Sequence, residues 1–132
     1  MERFRFFSDN LRGELTSVFP STTASALTTL ATGEPSLRHG VTGWFICIPE
    51  LGSVSQILHW RPRHGGGEYP YTGEISRTLL RAEPIFAKLE ARCLVVVPQG
   101  MVGSGYSRDN SRGAQVTGYN GLPGFCRAID QH

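Results

Sequence analysis

The chain has 132 residues, of which 39% are hydrophobic and 18% charged, which leaves room for one compact unit and argues against wholesale disorder. A formal net charge of +2, with arginines scattered rather than in a block, is too mild to imply nucleic acid as a partner, and no apolar run reaches the ~20 residues that span a bilayer. Sixteen glycines and eight prolines put a large share of the chain into turns and irregular connections.

Met1–Phe7 has neither a long apolar core nor a small-residue cleavage site, so it does not read as a signal peptide. Residues 14–19, Glu-Leu-Thr-Ser-Val-Phe, are β-branched and aromatic enough to predict a short strand, stopped by Pro20. Ala24–Ala31 is small and helix-compatible, with the hydroxyls of Ser21, Thr22 and Thr23 as candidate caps and Gly33 and Pro35 as the stop. Residues 43–48 and 53–60 read as strands joined through Pro49–Gly52, which predicts a β-hairpin. Residues 61–74 read as a flexible loop. Pro84 suits the first position of a helix over Ile85–Ala91. Leu94–Val97 is the clearest buried strand, an apolar run of the kind parallel sheets use. Gly100–Tyr119 has no period and reads as a long loop, and Leu122–Gln131 begins a last helix.

This order gives an α/β chain with no internal repeat. The cysteines, Cys47, Cys93 and Cys126, are far apart and odd in number, which fits neither a disulfide framework nor a zinc site. Two of them sit in apolar contexts and are expected to be buried and inert. A reducing, cytoplasmic setting is therefore the expectation.

The stretch Phe19–Val41 carries the chemistry. A hydroxyl in the first turn of a helix lies beside unpaired N–H groups and the positive end of the helix dipole, which is a ready site for a phosphate. A threonine hydroxyl must lose its proton before it attacks, and metal coordination is one way to arrange this. On local pattern alone, capping by Ser21, Thr22 or Thr23 is the commoner role, so the residues leave both readings open.

The same stretch resembles the nucleophile segment of the alkaline phosphatase superfamily, in its type I phosphodiesterase/nucleotide pyrophosphatase branch. That segment runs Phe-Pro-Thr-x-Thr, eight residues, Thr-Gly, x-x-Pro, x-x-His-Gly, and Thr32-Gly33 and His39-Gly40 fall at their expected places. The family's nucleophile lies ten residues before the glycine of the Thr-Gly pair, which selects Thr23 over Thr22. Leu51–Arg63 and the Ser-Arg and Gly-Tyr elements at 107–119 are similar to a bacterial branch of the same family.

The resemblance implies part of an alkaline-phosphatase-like sheet-and-helix sandwich, with the β-hairpin as an insertion, and makes residues 1–132 a partial catalytic domain. It implies metal-dependent hydrolysis of a small phosphate ester through a covalent threonine intermediate. Thr23 would attack phosphorus and touch metal, the Ala24 N–H would hold a phosphoryl oxygen, and two divalent metal ions, zinc by kinship, would complete the site. Trp44 stands where the nucleotide-cleaving branch has a substrate-contacting Asn, so stacking or core packing is expected there. His39 belongs to a structural His-Gly turn.

The family's Asp-Gly, Asp-x-x-x-His and Asp-His ligand segments are not found, which leads to the expectation of an internal fragment with little activity of its own and open apolar sheet edges. Two alternatives accompany the hydrolase: a phosphate- or nucleotide-binding α/β module without chemistry, and a non-catalytic relative kept for its interactions. In any of them, Tyr106, Arg108 and Arg112 are candidates for a binding surface on the 100–119 loop, beside its plainer role as a connection.

Overall fold

A computed structural model describes residues 5–70 and 81–131 of the chain. After a short helix α1 (Arg5–Asn10), residues 11–18 run without regular structure into α2 (Thr23–Thr32). Thr22 stands extended at φ −118° and ψ 155°, and its Oγ1 accepts from the Ser25 N–H at 3.3 Å, which starts the helix. Gly33 ends it at φ 71°, where a side chain is disfavoured, and its N–H returns to Thr29 O at 2.8 Å. The buried residues of α2 are Ala24, Ser25, Thr28, Ala31 and Thr32, which recur at helical spacing. Three of these five carry hydroxyls, while Leu30 stays 73% exposed, so the helix is packed inward by small polar residues.

A one-turn helix α3 (Ser36–His39) follows, then the predicted hairpin of β1 (Phe45–Ile48) and β2 (Ser53–Gln56). The two pair antiparallel from Phe45↔Gln56 to Ile48↔Ser53, across a single 3₁₀ turn at Pro49–Leu51. A two-residue β3 (Arg61–Pro62) extends this sheet, so the loop expected over 61–74 begins with a strand; residues 71–74 lie outside the described residues. Ala24, Val41, Ile48, Ile57, Leu58, Trp60 and Tyr106 form the core, gathering α2, the hairpin and the 101–110 region into one cluster.

A second sheet pairs β4 (Leu94–Pro98) with β5 (Gln115–Tyr119) in parallel, joined through α4 (Gly105–Asn110). Helix α5 (Gly121–Asp130) packs on β5 and β4. The described residues thus make a mixed α/β fold of one three-stranded and one two-stranded sheet. No described helix is long and apolar enough to cross a membrane.

The structure corrects four expectations. Residues 14–19 form no strand: β-propensity is realised only by pairing, they pair with nothing, and Leu15 is 99% exposed. The helix expected over Ile85–Ala91 is a single 3₁₀ turn, Ile85–Ala87. Gly100–Tyr119 is not a loop but holds α4 and β5, because Ser104 caps α4 by accepting from the Ser107 N–H and the small residues there are core-facing. Cys47 and Cys126 are exposed and Cys93 half-buried. In β1 the pleat turns Ile46 and Ile48 inward and Phe45 and Cys47 out, an alternation hidden within an all-apolar run.

Gly105 lies against the core indole: a Cβ added there would sit 2.6 Å from Trp60 Cδ1. Trp60 is 3% exposed and cannot swing away. Gly105→Ala should therefore cost about 1–3 kcal/mol of stability through overpacking, read as a lower midpoint in urea denaturation.

Candidate functional site: the start of helix α2

The turn before α2 is closed by Thr22 N–H bonding to Pro20 O at 3.0 Å. From there the two candidate threonines part. The Thr22 side chain is half-buried and committed to the cap, whereas Thr23 is the first residue of α2 and is exposed to solvent. Ala24 follows, fully buried. The cap takes the Ser25 N–H and the Thr22 carbonyl takes the Ala26 N–H at 2.9 Å. Helix geometry provides no internal acceptor for the N–H groups of Thr23 and Ala24. An exposed hydroxyl, two free N–H groups and the positive end of a ten-residue helix thus share one spot, which suits an anion.

This helix start is anchored from behind by hydroxyls. Thr28 Oγ1 donates to Ala24 O at 2.7 Å, which spends its proton, so Tyr106 Oη donates to Thr28 Oγ1 at 3.0 Å. Asn110 Nδ2 in turn donates to Tyr106 Oη at 3.0 Å. The chain Asn110→Tyr106→Thr28→Ala24 therefore has one fixed direction and ties α4 to the first turn of α2. Burial pushes the Tyr106 phenol up to about 12, against a smaller downward pull from the Thr28 hydrogen bond, so the group stays a neutral donor. Ser25 and Ser36 hydroxyls, both buried, join α2 to α3.

His39 is fully buried, as expected of a structural turn. Its Nδ1 accepts from the Val41 N–H at 3.0 Å, so Nε2 carries the hydrogen and donates to Thr29 Oγ1 at 3.0 Å. Both ring nitrogens are spent on structure. Burial holds the imidazole below its ordinary pKa of 6.5, against a smaller upward pull from the Glu34 carboxylate.

Trp44 is half-buried and packs against the core, with its ring 6.2 Å from that of His59. Tyr106, a candidate surface contact by sequence, is 4% exposed and belongs to the anchor behind the helix. Arg108 is exposed on α4, and Arg112 Nε donates to Asp109 O at 3.4 Å. His64 lies exposed in its glycine-rich segment, and His132 is outside the described residues. Among the described residues, no group of three or more His, Cys, Asp or Glu could hold a metal ion. The Thr28–Tyr106–Asn110 anchor went unread in the sequence. Thr28 and Tyr106 are 78 positions apart, and only the small polar face of α2 hinted that hydroxyls were turned inward.

The family model for type I phosphodiesterase / nucleotide pyrophosphatase matches residues 5–126, which takes in all of this site. A search of curated proteins finds no match, and neither does a search of solved structures.

Two outcomes follow from the geometry. Thr22→Ala removes the cap and should cost about 1 kcal/mol, while Thr23→Ala, at an exposed first-turn position, should stay within about 0.5 kcal/mol of the parent in chemical denaturation. For His39, the unfolded chain takes up a proton before the folded one does. Stability should then be level above pH 6.5 and fall as pH drops from 6.5 towards the lowered folded value. Denaturation midpoints measured between neutral pH and pH 5 should show this fall, with a shallower slope in His39→Gln.

Proposed function

The chain belongs to the type I phosphodiesterase/nucleotide pyrophosphatase family, a branch of the alkaline phosphatase superfamily, and we propose on that footing that Thr23 is the nucleophile of a phosphoester hydrolase. Phosphoester hydrolysis is the chemistry the family suggests. The observation that carries the finer reading is the division of labour at the helix start, with Thr22 spent on the cap and Thr23 exposed at the first position.

In this reading a phosphate ester seats its anionic oxygens at the start of α2, where the N–H groups of Thr23 and Ala24 receive them. Thr23 Oγ1 gives up its proton and bonds to phosphorus, the bond to the leaving oxygen breaks and that oxygen takes up a proton, and a covalent phospho- or nucleotidyl-threonine forms. Water then attacks phosphorus and releases the threonine. The substrate is a small phosphate mono- or diester, and Trp44, which packs against the core, contributes shape near the site rather than a phosphate contact. The family's two divalent ions, zinc among the candidates, are not matched by the described residues, which assemble no ligand cluster. No step is therefore assigned to them, and turnover depends on ligands supplied from outside the described residues. On this proposal the described residues alone hydrolyse esters poorly.

A second reading, a phosphate-ester-binding module without chemistry, is favoured by that same missing cluster. Kinetics separates the two. With the metal ligands in place, Thr23→Ala should lower hydrolysis of bis(p-nitrophenyl) phosphate by on the order of a thousandfold or more, as loss of a nucleophile does, while Thr22→Ala stays within about tenfold. Undiminished turnover by Thr23→Ala would end the nucleophile assignment. Calorimetric binding of p-nitrophenyl phosphate without metal, with no hydrolysis under any metal, would favour the module.

A further inference from the structure

We infer that the open edge of β4 is a strand-docking groove whose occupant is the chain's own segment Leu15–Phe19. Val95, Val96 and Val97 all line one groove of about 220 Å³, facing Leu27 and Leu30 of α2 and Phe86. Successive residues of a strand point to opposite faces, so three consecutive valines can share a groove only if it runs along the strand's edge. Hydrogen bonding places that edge. Cys93 O accepts from Gln115 N–H at 2.9 Å, so residues 93, 95 and 97 turn their backbone groups towards β5. Leu94 and Val96 then turn theirs to the opposite edge, the one along which Val96 lines the groove, and among the described residues no strand pairs with them.

Charge and reach select the occupant. No charged residue lines the groove, so it suits a neutral segment. Leu15-Thr-Ser-Val-Phe19 is neutral and β-prone, whereas the chain before it carries Arg5, Asp9, Arg12 and Glu14. Leu15 and Phe19 are 99% and 92% exposed, and of the five residues Val18 alone is half-buried, so most of the segment is open to a partner. Pro20–Thr22 joins it to α2, itself a wall of the groove, and three residues is an ordinary strand-to-helix connection. Five extended residues span about 16 Å. The ten residues of α2 span about 15 Å, so the lengths match. Tethering at so short a distance gives a high effective concentration, which favours the chain's own segment over that of a second copy. The docked strand would cover Leu30 and raise a two-stranded sheet to the three strands that make a sheet stable on its own.

Amide hydrogen exchange on the whole chain tests this. The Leu94 and Val96 N–H groups should exchange at least tenfold more slowly in the wild type than in Val18→Asp, which puts a charge into the neutral groove. Protection in α2 and β2 should be alike in the two proteins. Equal exchange at Leu94 and Val96 in both would overturn the inference, as would protection that appears only as protein concentration rises, which assigns the groove to a second copy. A second measurement covers a Val18→Asp protein that fails to fold. With Cys47, Cys93 and Cys126 changed to Ser, Val18→Cys and Val96→Cys should form a disulfide within one chain under mild oxidation. A cross-link found only in dimers, or none at all, refutes the proposal.

Discussion

A helix that exposes Leu27 and Leu30 and buries Thr28 and Thr32 cannot be held by hydrocarbon alone, and the rest of the structure depends on how its hydroxyls are satisfied. An unpaired hydroxyl in an apolar interior costs on the order of 1–3 kcal/mol, so each buried one must find a partner. Thr28 finds two, the Ala24 carbonyl above it and the Tyr106 phenol opposite. Ser25 finds Ser36 and, at the half-buried margin, Thr29 finds His39. These few contacts fix α2 against α3 on one side and α4 on the other. They also decide which way its first turn faces, and with it the exposure of Thr23.

Partner specificity explains why the interior is laid out this way. Apolar packing tolerates sliding, because any methyl fits roughly against any other. A hydroxyl chain with a single donor direction does not, since shifting it by one residue breaks several bonds at once. The price of such a core is its sensitivity at the glycine that lets Trp60 close over α4. The two small sheets carry less of this burden, and β4 in particular keeps half-buried valines along an edge the described residues leave open.

What could be read from the sequence was what chain-local chemistry governs. The limits of α2, the hairpin turn at Pro49–Gly52 and the parallel habit of Leu94–Val97 follow from caps, glycines and an apolar run. Two misreadings came from asking composition to do the work of contacts. Glu14–Phe19 has the residues of a strand but stands unpaired, and Gly100–Tyr119 has the residues of a loop yet is drawn into helix and strand by the core beside it. At the site, helix-start chemistry alone did not separate Thr22 from Thr23, and family spacing did so only by likeness. Geometry gives each a distinct position, one turned to the backbone and one to solvent. The anchor through Tyr106 and Asn110 had no local signature, because both halves look ordinary until folding brings them together.

That separation of Thr22 from Thr23 bears on how such a chain can change over generations. Where one residue both holds a fold and performs a reaction, losing the reaction damages the fold, and selection for a sound protein preserves the chemistry by accident. On the proposed assignment the two tasks sit on neighbouring codons with no shared side chain. Folding exerts little hold on position 23, so a lineage released from demand for the reaction could lose it in one step and keep its shape intact. A threonine retained at that position in living relatives would then be a record of continued use, and its neighbour at 22 would record nothing more than the need for a helix.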